Sequence, residues 1–379
     1  MVTVAGEIRL FRRYFWADGV GGHCPGDAWA GITSLISAGV REFCCTMGVI
    51  QDFAQGAEDL ERLSGLRISK ERLRQVVERE AEVVTWGRMD GTIVPSWSAD
   101  DATVEGREQT RVYVGGDGVK LATVTQHEKD KRRQQQAARR RQRGQAGIGN
   151  DRPLPVARPG SDDRYKEMKV GLLYDQSKEH IHAFVTGQNH EGFGEFLRRH
   201  ADWIGLELAE ESIGLMDGAV WIPRQMIKHL PKLTSILLDF YHLSEHIWDT
   251  AKCCLGESEA AKKWAETQLH EAKHHGPQPL LAAIDALHKK IRGQAKRRRL
   301  ARLRSYILER WEMLDYREAL AHGWDIGSGP TEAACKNLTL RLKRTGMKWD
   351  IDHAEGMMNL IALRESRQWR DYWATQRAA

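Results

Sequence analysis

I-G-L-M-D-G-A, residues 213–219, is the stretch on which the predicted fold depends. A short apolar run followed by Asp-Gly is typical of a buried strand that ends in a turn. Similar runs, and stretches of helical spacing, lie on both sides of it. Working outward, we find β-rich segments at R-V-Y-V-G-G-D (111–117) and V-K-L-A-T-V-T (119–125), which flank Gly118, predicted strands at K-V-G-L-L-Y (169–174), I-H-A-F-V-T (181–186) and T-S-I-L-L-D (234–239), and predicted helices at about 191–205 and near 221–230.

The order of these elements indicates the fold class. Three strands, a helix, a strand, a helix and a strand give the βββαβαβ order of an RNase H-like sheet. The polar tract from about 128 to 163, with Gln and Arg runs and three prolines, is predicted to be a loop or mobile excursion. After residue 243 almost everything has helical spacing, and within 257–322 only the segment G-P-Q-P interrupts it.

The first part of the chain is predicted to hold a small hairpin and two helices. Residues 1–30 are interpreted as an edge hairpin, with E-I-R-L-F-R-R-Y-F-W (7–16) as an alternating strand. Residues 50–86 predict two helices, the first ending near Gly65 and the second capped by Ser69. This is the outline of a helix-turn-helix, and a plain helical hairpin fits equally well. In the first case the side chains available for DNA are Lys70, Arg72 and Arg74.

Composition narrows the class of protein. The chain has 379 residues, of which 41% are hydrophobic and 29% charged, a globular balance that excludes a disordered, collagen-like or disulfide-scaffold protein. No stretch approaches the ~18 apolar residues of a membrane span, and the polar start has no signal-peptide core. The six cysteines include no C-x-x-C, which fits a reducing compartment. We therefore expect a cytoplasmic protein without a membrane partner.

Positive charge is concentrated in three tracts. Residues 120–143 hold nine Lys or Arg and two acids, 289–304 hold nine and none, and 336–348 hold five and none. Because the whole chain carries only +5, the remainder is acidic. One such tract is ordinarily a solvated helix face, but three of them predict a polyanionic partner.

Three acids form a candidate constellation. Asp117 and Asp217 each end a predicted strand and precede a glycine, and in an RNase H-like sheet those strands are neighbours, roughly 4.8 Å apart. Glu332 falls in the first turn of a helix predicted to begin near Pro330. Clustered carboxylates are the ligands of Mg²⁺, and a pair of such ions supports in-line phosphoryl displacement. Individually, however, Asp-Gly is commonly a turn, and a glutamate in a first helical turn commonly serves the helix dipole.

The segment L-L-D-F-Y-H-L-S-E-H (237–246) offers two alternatives. Asp239 also ends a predicted strand and competes with Asp217, although one strand further from Asp117, near 10 Å across the sheet. His242-x-x-Glu245-His246 matches the inverted zinc-peptidase signature, with Glu245 as the base. A peptidase would leave the basic tracts and Asp117 unexplained, so we rank it last.

Several motifs together resemble a known family. They are D-G-A-V-W-I (217–222), L-D-F-Y-H-L-S-E-H-I-W (238–248), G-S-G-P-T-E-A-A-C-K-N-L-T-L-R-L-K-R-T-G-M-K-W (327–349) and W-R-D-Y-W (369–373). They resemble bacterial insertion-sequence transposases of the Kra-type group, within the Mutator-like DDE superfamily. The resemblance covers roughly residues 5–373. It is most specific in G-S-G-P-x-E followed by G-M-x-W.

This resemblance implies a fold, a chemistry and a set of residues. The implied fold is α/β plus all-α: an RNase H-like mixed-sheet catalytic core interrupted by an all-α insertion, with an N-terminal helical DNA-binding region. The implied domains are 1–100, with the small hairpin and helix-turn-helix-like helices, 105–250, the first part of the core, 251–325, the all-α insertion, and 326–379, the last part of the core and C-terminal helices. Asp117, Asp217 and Glu332 match the catalytic, metal-binding triad. Asp239 and His242 match an accessory C/D-x-x-H motif that positions DNA.

The expected function is that of a DNA transposase. It would cut transposon ends and join the freed 3′-hydroxyl to target DNA with two Mg²⁺ or Mn²⁺ ions, as a homo-oligomer on double-stranded DNA associated with the nucleoid. Phosphate contacts are expected from the tracts near 131–143, 289–304 and 341–348. The candidate DNA-binding residues are Arg132, Arg133, Arg140, Arg141, Arg297, Arg298, Arg299, Arg341, Lys343, Arg344 and Trp349, the last as a base-stacking side chain. The alternative is a domesticated copy that binds DNA without cutting.

Overall fold

A computed structural model describes residues 1–19, 21–29, 35–142, 156 and 158–378. The chain is a mixed α/β protein that divides into two compact units interleaved in sequence. The first, here called the helical unit, comprises residues 1–93, 120–168 and 337–379, and the second, the sheet unit, comprises 94–119 and 169–336. Among the described residues, no helix is long and apolar enough to cross a membrane.

The elements are as follows in chain order. The strands are β1 (Val2–Thr3), β2 (Gly6–Glu7), β3 (Phe15–Ala17), β4 (Gly21–His23), β5 (Arg111–Ala122), β6 (Tyr165–Asp175), β7 (Ile181–Thr186), β8 (Glu211–Met216) and β9 (Ser235–Leu238). The helices are α1 (Pro25–Trp29), α2 (Ala38–Ile50), α3 (Phe53–Ser64), α4 (Lys70–Asp90), α5 (Gln126–Gln142), α6 (His190–Ile204), α7 (Trp221–His229), α8 (Phe240–Leu255), α9 (Glu259–His275), α10 (Pro277–Lys290), α11 (Gln294–Glu309), α12 (Tyr316–His322), α13 (Gly329–Leu340), α14 (Ile351–Glu365) and α15 (Trp369–Ala378).

The main sheet has five strands in the order β7-β6-β5-β8-β9. Strand β8 runs parallel to both β5 and β9, and β6 runs antiparallel to β7. All six residues of β8 are buried, as a central parallel strand covered on both faces requires. The parallel strands β5, β8 and β9 therefore present their carboxyl ends at one edge of the sheet.

Two predictions for the middle of the chain are corrected by the structure. Strand β5 does not end at Asp117 but runs on to Ala122, because Gly118 is extended here and Leu121 is buried. The predicted excursion begins as a helix, α5, since Gln, Lys, Arg and Ala are strong helix formers. Its start is capped reciprocally by Thr125 and Glu128, each accepting the other's backbone N–H. Residues 143–155 and 157 lie outside the described residues.

The N-terminal expectations have mixed outcomes. The predicted strand over 7–16 is wrong, since residues 8–14 belong to no strand and the described residues of this region form two small two-stranded sheets. Such short pairings without a packed face do not extend. The two predicted helices are confirmed: α3 ends at Gly65 in the left-handed conformation, and the Ser69 hydroxyl accepts the N–H of Arg72 at the start of α4. Helix α2 was not predicted.

The helical part of the sheet unit is confirmed. Helices α8 to α12 share one apolar core, to which Leu243, Leu280, Leu300 and Tyr316 contribute. The predicted interruption lies between α9 and α10, where Gly276 has φ +82° and α10 begins at a proline. Contrary to the prediction it is not the sole break, since residues 291–293 separate α10 from α11 and residues 310–315 separate α11 from α12. These helices follow β9 directly and so begin at the same edge of the sheet as the acids described next.

Candidate functional site

Three acids lie at the carboxyl edge of the parallel strands. Gly116 on β5 is paired with Met216 on β8, which is paired in turn with Leu238 on β9. The next residue is acidic in every case: Asp117, Asp217 and Asp239. Adjacent strands are about 4.8 Å apart, so the three acids follow one row across the sheet, with Asp217 in the middle.

Asp117 and Asp217 have similar surroundings. Both side chains are half-buried. Oδ1 of Asp117 accepts the backbone N–H of Gly118 at 2.5 Å, and Oδ1 of Asp217 accepts that of Ala219 at 3.1 Å. These backbone bonds orient each carboxylate through one oxygen. The Asp217 turn also requires Gly218, whose φ of +98° lies in the left-handed region.

Donors within the protein engage both oxygens of Asp239. It is 1% exposed and caps α8, with Oδ1 accepting the backbone N–H of Tyr241 at 2.6 Å and of His242 at 3.0 Å. Its Oδ2 accepts the backbone N–H of Ser328 at 2.5 Å and the Ser328 hydroxyl. Asp239 thus ties the start of α8 to the segment that enters α13.

The start of α13 is also packed closely on β5. Thr331 is buried, and a Cβ added to Gly115 would lie 2.0 Å from its Oγ1. Only glycine at this point of β5 allows α13 to approach so closely. With the Ser328 contact to Asp239, this approach places the first turn of α13, and therefore Glu332, over the same edge of the sheet.

Burial and neighbouring negative charges both affect the Glu332 carboxyl. Its pKa is raised above the ordinary value, first because the group is partly withdrawn from water and then because of the charges on Asp239, Glu245, Asp117 and Asp217. Four like charges acting on one carboxyl indicate a local excess of negative charge. The predicted triad therefore lies in one electrostatic neighbourhood.

The chemistry of these residues fits a divalent cation. Carboxylate oxygens are the ligands of Mg²⁺ and Mn²⁺. A bound cation would relieve the repulsion that adds to the effect of burial in raising the pKa of Glu332. In the described part of the chain, no three His, Cys, Asp or Glu side chains by themselves form a preassembled ligand set. Mg²⁺ usually completes its shell with water and substrate phosphates. The residues that would hold it are Asp117, Asp217 and Glu332.

The zinc-peptidase motif lies on α8. Nδ1 of His242 is 3.9 Å from the Glu245 carboxylate, and the rings of His242 and His246 are in edge contact, 5.1 Å apart. The His246 ring lies 4.2 Å from that of Tyr306, and burial lowers its pKa. Within the described residues the motif does not acquire a third ligand.

The candidate DNA-binding arginines of the first two tracts lie on helices. On α5, Arg132 and Arg133 are exposed and Arg140 is half-buried, while the side chain of Arg141 lies outside the description. On α11, which belongs to the sheet unit, Arg297 and Arg298 are exposed. Arg299 on the same helix is partly exposed, and its Nη2 lies 3.0 Å from the Asp249 carboxylate.

In the third tract and next to it, two candidate DNA-binding residues are buried, Arg341 and Trp349. Arg341 is 3% exposed, with its guanidinium 5.1 Å from the Phe53 ring and 5.4 Å from the Trp349 ring, and burial lowers its pKa to about 10. Trp349 is 8% exposed and donates its indole N–H to the carbonyl of Leu342 at 3.1 Å. Both side chains are buried in the helical unit, so in this structure the Trp349 ring is not exposed for the stacking role predicted for it. The exposed cations of the tract include Lys343 and Arg344.

Two contributors to the site were missed by the sequence analysis. The N–H and the hydroxyl of Ser328 both donate to Asp239. Arg310 donates to the carbonyl of Gly218, directly after Asp217. No local pattern identifies Arg310, because it follows a helix and contacts a residue 92 positions away.

The raised pKa of Glu332 predicts that Glu332→Gln stabilises the protein. A carboxyl whose pKa is higher in the folded state contributes stability at low pH and loses it as pH rises through that value. At pH 7 to 8, therefore, the variant should melt about 1–2 °C above the wild type, as expected for a mostly exposed group. Below about pH 4 the difference should vanish. Differential scanning fluorimetry across pH measures it, with the exposed Glu312→Gln as control; a difference independent of pH would contradict the argument.

Comparison with known proteins gives one distant relative. No protein-family model matches the chain. Over 375 residues, the chain is 23% identical to a protein from Streptococcus gallolyticus named "UPF0236 protein in vanSb 3'region". The match spans 97% of this chain and 73% of that protein. The similarity therefore includes residues of both units, and the name of the relative states no activity.

Proposed function

We propose that the chain is a DNA transposase that cleaves element ends and joins the 3′-hydroxyl to target DNA by a DDE mechanism. The observation that carries the proposal is the row of acids that follows register-paired residues on β5 and β8, together with Glu332 in the same negative neighbourhood. Such a cluster is costly unless a cation or a reaction requires it. Asp117, Asp217 and Glu332 are the proposed metal ligands.

The sheet supports an RNase H-like interpretation of the core. The first strand of this sheet in sequence, β5, lies next to the fourth, β8, and runs parallel to it. This pairing is required if Asp117 and Asp217, which follow the paired residues of the two strands, are to lie close together. The antiparallel pair β6 and β7 completes the mixed sheet on the other side of β5. Helices α8 to α12 then separate the second acid from the third, as expected of an all-α insertion.

Each residue of the site has a separate proposed task. Divalent ions, when bound, would activate the attacking water or hydroxyl and stabilise the leaving oxygen. Asp117 and Asp217 supply carboxylates on rigid adjacent strands. Glu332 supplies a third from the first turn of α13, and Asp239 holds that turn through Ser328. Asp239 is therefore assigned to positioning, in accord with the accessory role of its motif.

The proposed partner is double-stranded DNA, bound by a homo-oligomer. Exposed arginines on α5 and α11 and the exposed Lys343 and Arg344 supply the positive charge. Contacts of this type release counterions, so affinity should fall steeply with salt. Arg341 and Trp349 are left out of the interface because both are buried.

One experiment tests the function directly. Labelled duplexes that tile the DNA on both sides of the coding sequence are incubated with the full chain and Mg²⁺ or Mn²⁺, and strand cleavage and joining are followed on sequencing gels. Cleavage at discrete positions followed by joining supports the proposal. Tight, salt-dependent binding without cleavage in either metal would favour the domesticated DNA-binding alternative instead.

Charge reversal on α11 should weaken DNA binding. Arg297 and Arg298 are exposed in the sheet unit, so the double variant Arg297→Glu/Arg298→Glu should raise Kd about tenfold or more and lower the salt slope by about two. Fluorescence anisotropy on a labelled duplex at several salt concentrations measures both. The matched control is Lys262→Glu/Lys263→Glu, the same charge change on exposed positions of α9. Equal weakening by both pairs would mean that only net charge matters.

A further inference from the structure

The turn that follows Asp217 is held by a residue from the helical part of the sheet unit. Arg310 lies directly after α11 and is 8% exposed. Its Nε and Nη2 both donate to the carbonyl oxygen of Gly218, at 3.2 and 2.6 Å. Two hydrogen bonds from one planar guanidinium fix both the position and the orientation of a carbonyl. This carbonyl belongs to the residue next to Asp217.

The Tyr306 side chain packs against the same turn. The Arg310 guanidinium lies 4.0 Å from the Tyr306 ring centroid and also donates to the Tyr306 carbonyl at 3.3 Å. A Cβ added to Gly218 would lie 2.6 Å from the Tyr306 hydroxyl oxygen, which is buried. Since Gly218 also has φ +98°, both conformation and space restrict this position to glycine. The peptide after Asp217 is thus enclosed between the two side chains.

The electrostatic surroundings connect this clamp to the acids. Burial raises the pKa of Tyr306; Arg310 opposes the shift, whereas the charges on Asp217 and Asp239 add to it. The tyrosine therefore lies within the electrostatic range of both acids and of the arginine. Arg310 places a positive charge beside the turn that follows Asp217, the middle acid of the row.

We propose that Arg310 is a positioning residue for the metal site, which orients the Asp217 carboxylate by clamping the Gly218 carbonyl. The inference rests on the proposed function, because it assumes that Asp217 is a metal ligand. Groups that orient metal ligands typically contribute 10- to 100-fold to metal affinity. On this view, the helices between the second and third acids help to shape the site.

The test compares Arg310→Met and Arg310→Lys with wild type. Mn²⁺ binding is measured on the full chain by electron paramagnetic resonance of the free ion, and hydrogen exchange follows the backbone of residues 214–221. We expect Arg310→Met to weaken Mn²⁺ binding about tenfold or more and to speed exchange at Gly218 and Ala219. Arg310→Lys keeps one donor and should recover part of both. Arg317→Met, an exposed position on α12, is the matched control.

The outcomes separate this inference from the proposed function. If the wild type binds Mn²⁺ and Arg310→Met binds it equally well, the clamp is not a positioning device, although the metal site stands. If exchange at the turn is unchanged in Arg310→Met, the inference is likewise overturned. If the wild type binds no Mn²⁺ and Asp217→Asn behaves identically, the proposed function fails and the inference fails with it. A fall in Mn²⁺ affinity with recovery by lysine supports both.

Discussion

Asp217→Asn is expected to lower the rate of strand cleavage by about 10²- to 10³-fold or more while leaving the Kd for DNA within about twofold. Asp217 follows the central strand β8, whose six residues are buried, so its backbone is rigid. Asparagine retains an oxygen that can accept the N–H of Ala219 and removes only the charge. The loss should therefore reflect metal binding and catalysis rather than folding.

The same cleavage assay tests the roles of Asp117 and Glu332. Asp117→Asn and Glu332→Gln should lose activity to a similar extent, because both belong to the proposed ligand set. The exposed Glu312→Gln, which carries the same chemical change in the same unit, should cleave like the wild type. Each variant is compared on one labelled duplex with Mn²⁺, with binding measured in parallel by anisotropy.

Glu245→Gln decides between the two enzymatic alternatives. Under the transposase proposal Glu245 is a neighbouring charge, so its neutralisation should change cleavage by less than about threefold. Under the peptidase alternative it is the general base, and peptide hydrolysis by the wild type would disappear in the variant. Unimpaired DNA cleavage by Asp217→Asn would overturn the assignment of the second acid.

Part of the fold could be predicted because apolar runs, helix caps and glycine breaks determine the local structure without help from distant residues. The apolar run that became β8 needed burial on both faces, and the helix ends at Gly65 and Ser69 follow from backbone conformation and capping. The break at Gly276 follows from the same chemistry. At these positions tertiary structure agrees with the local preference, so sequence alone suffices.

The wrong predictions concern residues whose state depends on distant partners. The Asp117-Gly118 pair predicts a turn, but no turn forms there, because β5 continues across Gly118 as part of the sheet. Basic composition indicated exposure for Arg341, yet the rings of Phe53 and Trp349 bury it. The Gln and Arg runs of α5 predict a loop by their polarity, whereas the same residue types are strong helix formers, and a helix is what forms.

Candidate site residues could be proposed from the sequence, but their contacts could not. The acids could be chosen because each follows an apolar run or starts a helix. The sequence could not show that Asp239 uses both of its oxygens on the protein, since Ser328 is 89 positions away. The structure thereby distinguishes two acids that the sequence left in competition.

Asp239→Ala is expected to lower the free energy of unfolding of the sheet unit by about 3–7 kcal/mol. The change removes the cap of α8, worth about 1 kcal/mol, and leaves the buried N–H and hydroxyl of Ser328 without an acceptor, at about 1–3 kcal/mol each. The melting temperature should fall by roughly 6 °C or more, since each kcal/mol shifts it about 2–4 °C in a unit of this size. Calorimetry and urea titration measure both quantities.

Two companion variants identify the cause of that loss. Asp239→Asn can still accept the N–H groups of Tyr241 and His242, but its amide would face the Ser328 donors, so about half of the loss should remain. Ser328→Ala removes only the hydroxyl bond and should cost about 1 kcal/mol. Because Asp239 and Ser328 are in contact, the double variant should lose less than the sum of the two single variants.

Activity and stability together decide the role of Asp239. If this carboxylate holds α13 in place, Asp239→Asn should lose stability and cleavage together, because Glu332 lies four residues beyond Ser328 on the segment that it anchors. If it were instead a metal ligand, the same variant would lose cleavage at an unchanged melting temperature, and Asp217→Asn would remain active. The hydrogen bonds to both oxygens favour the first result, since a carboxylate that already accepts four donors has little capacity left for a cation.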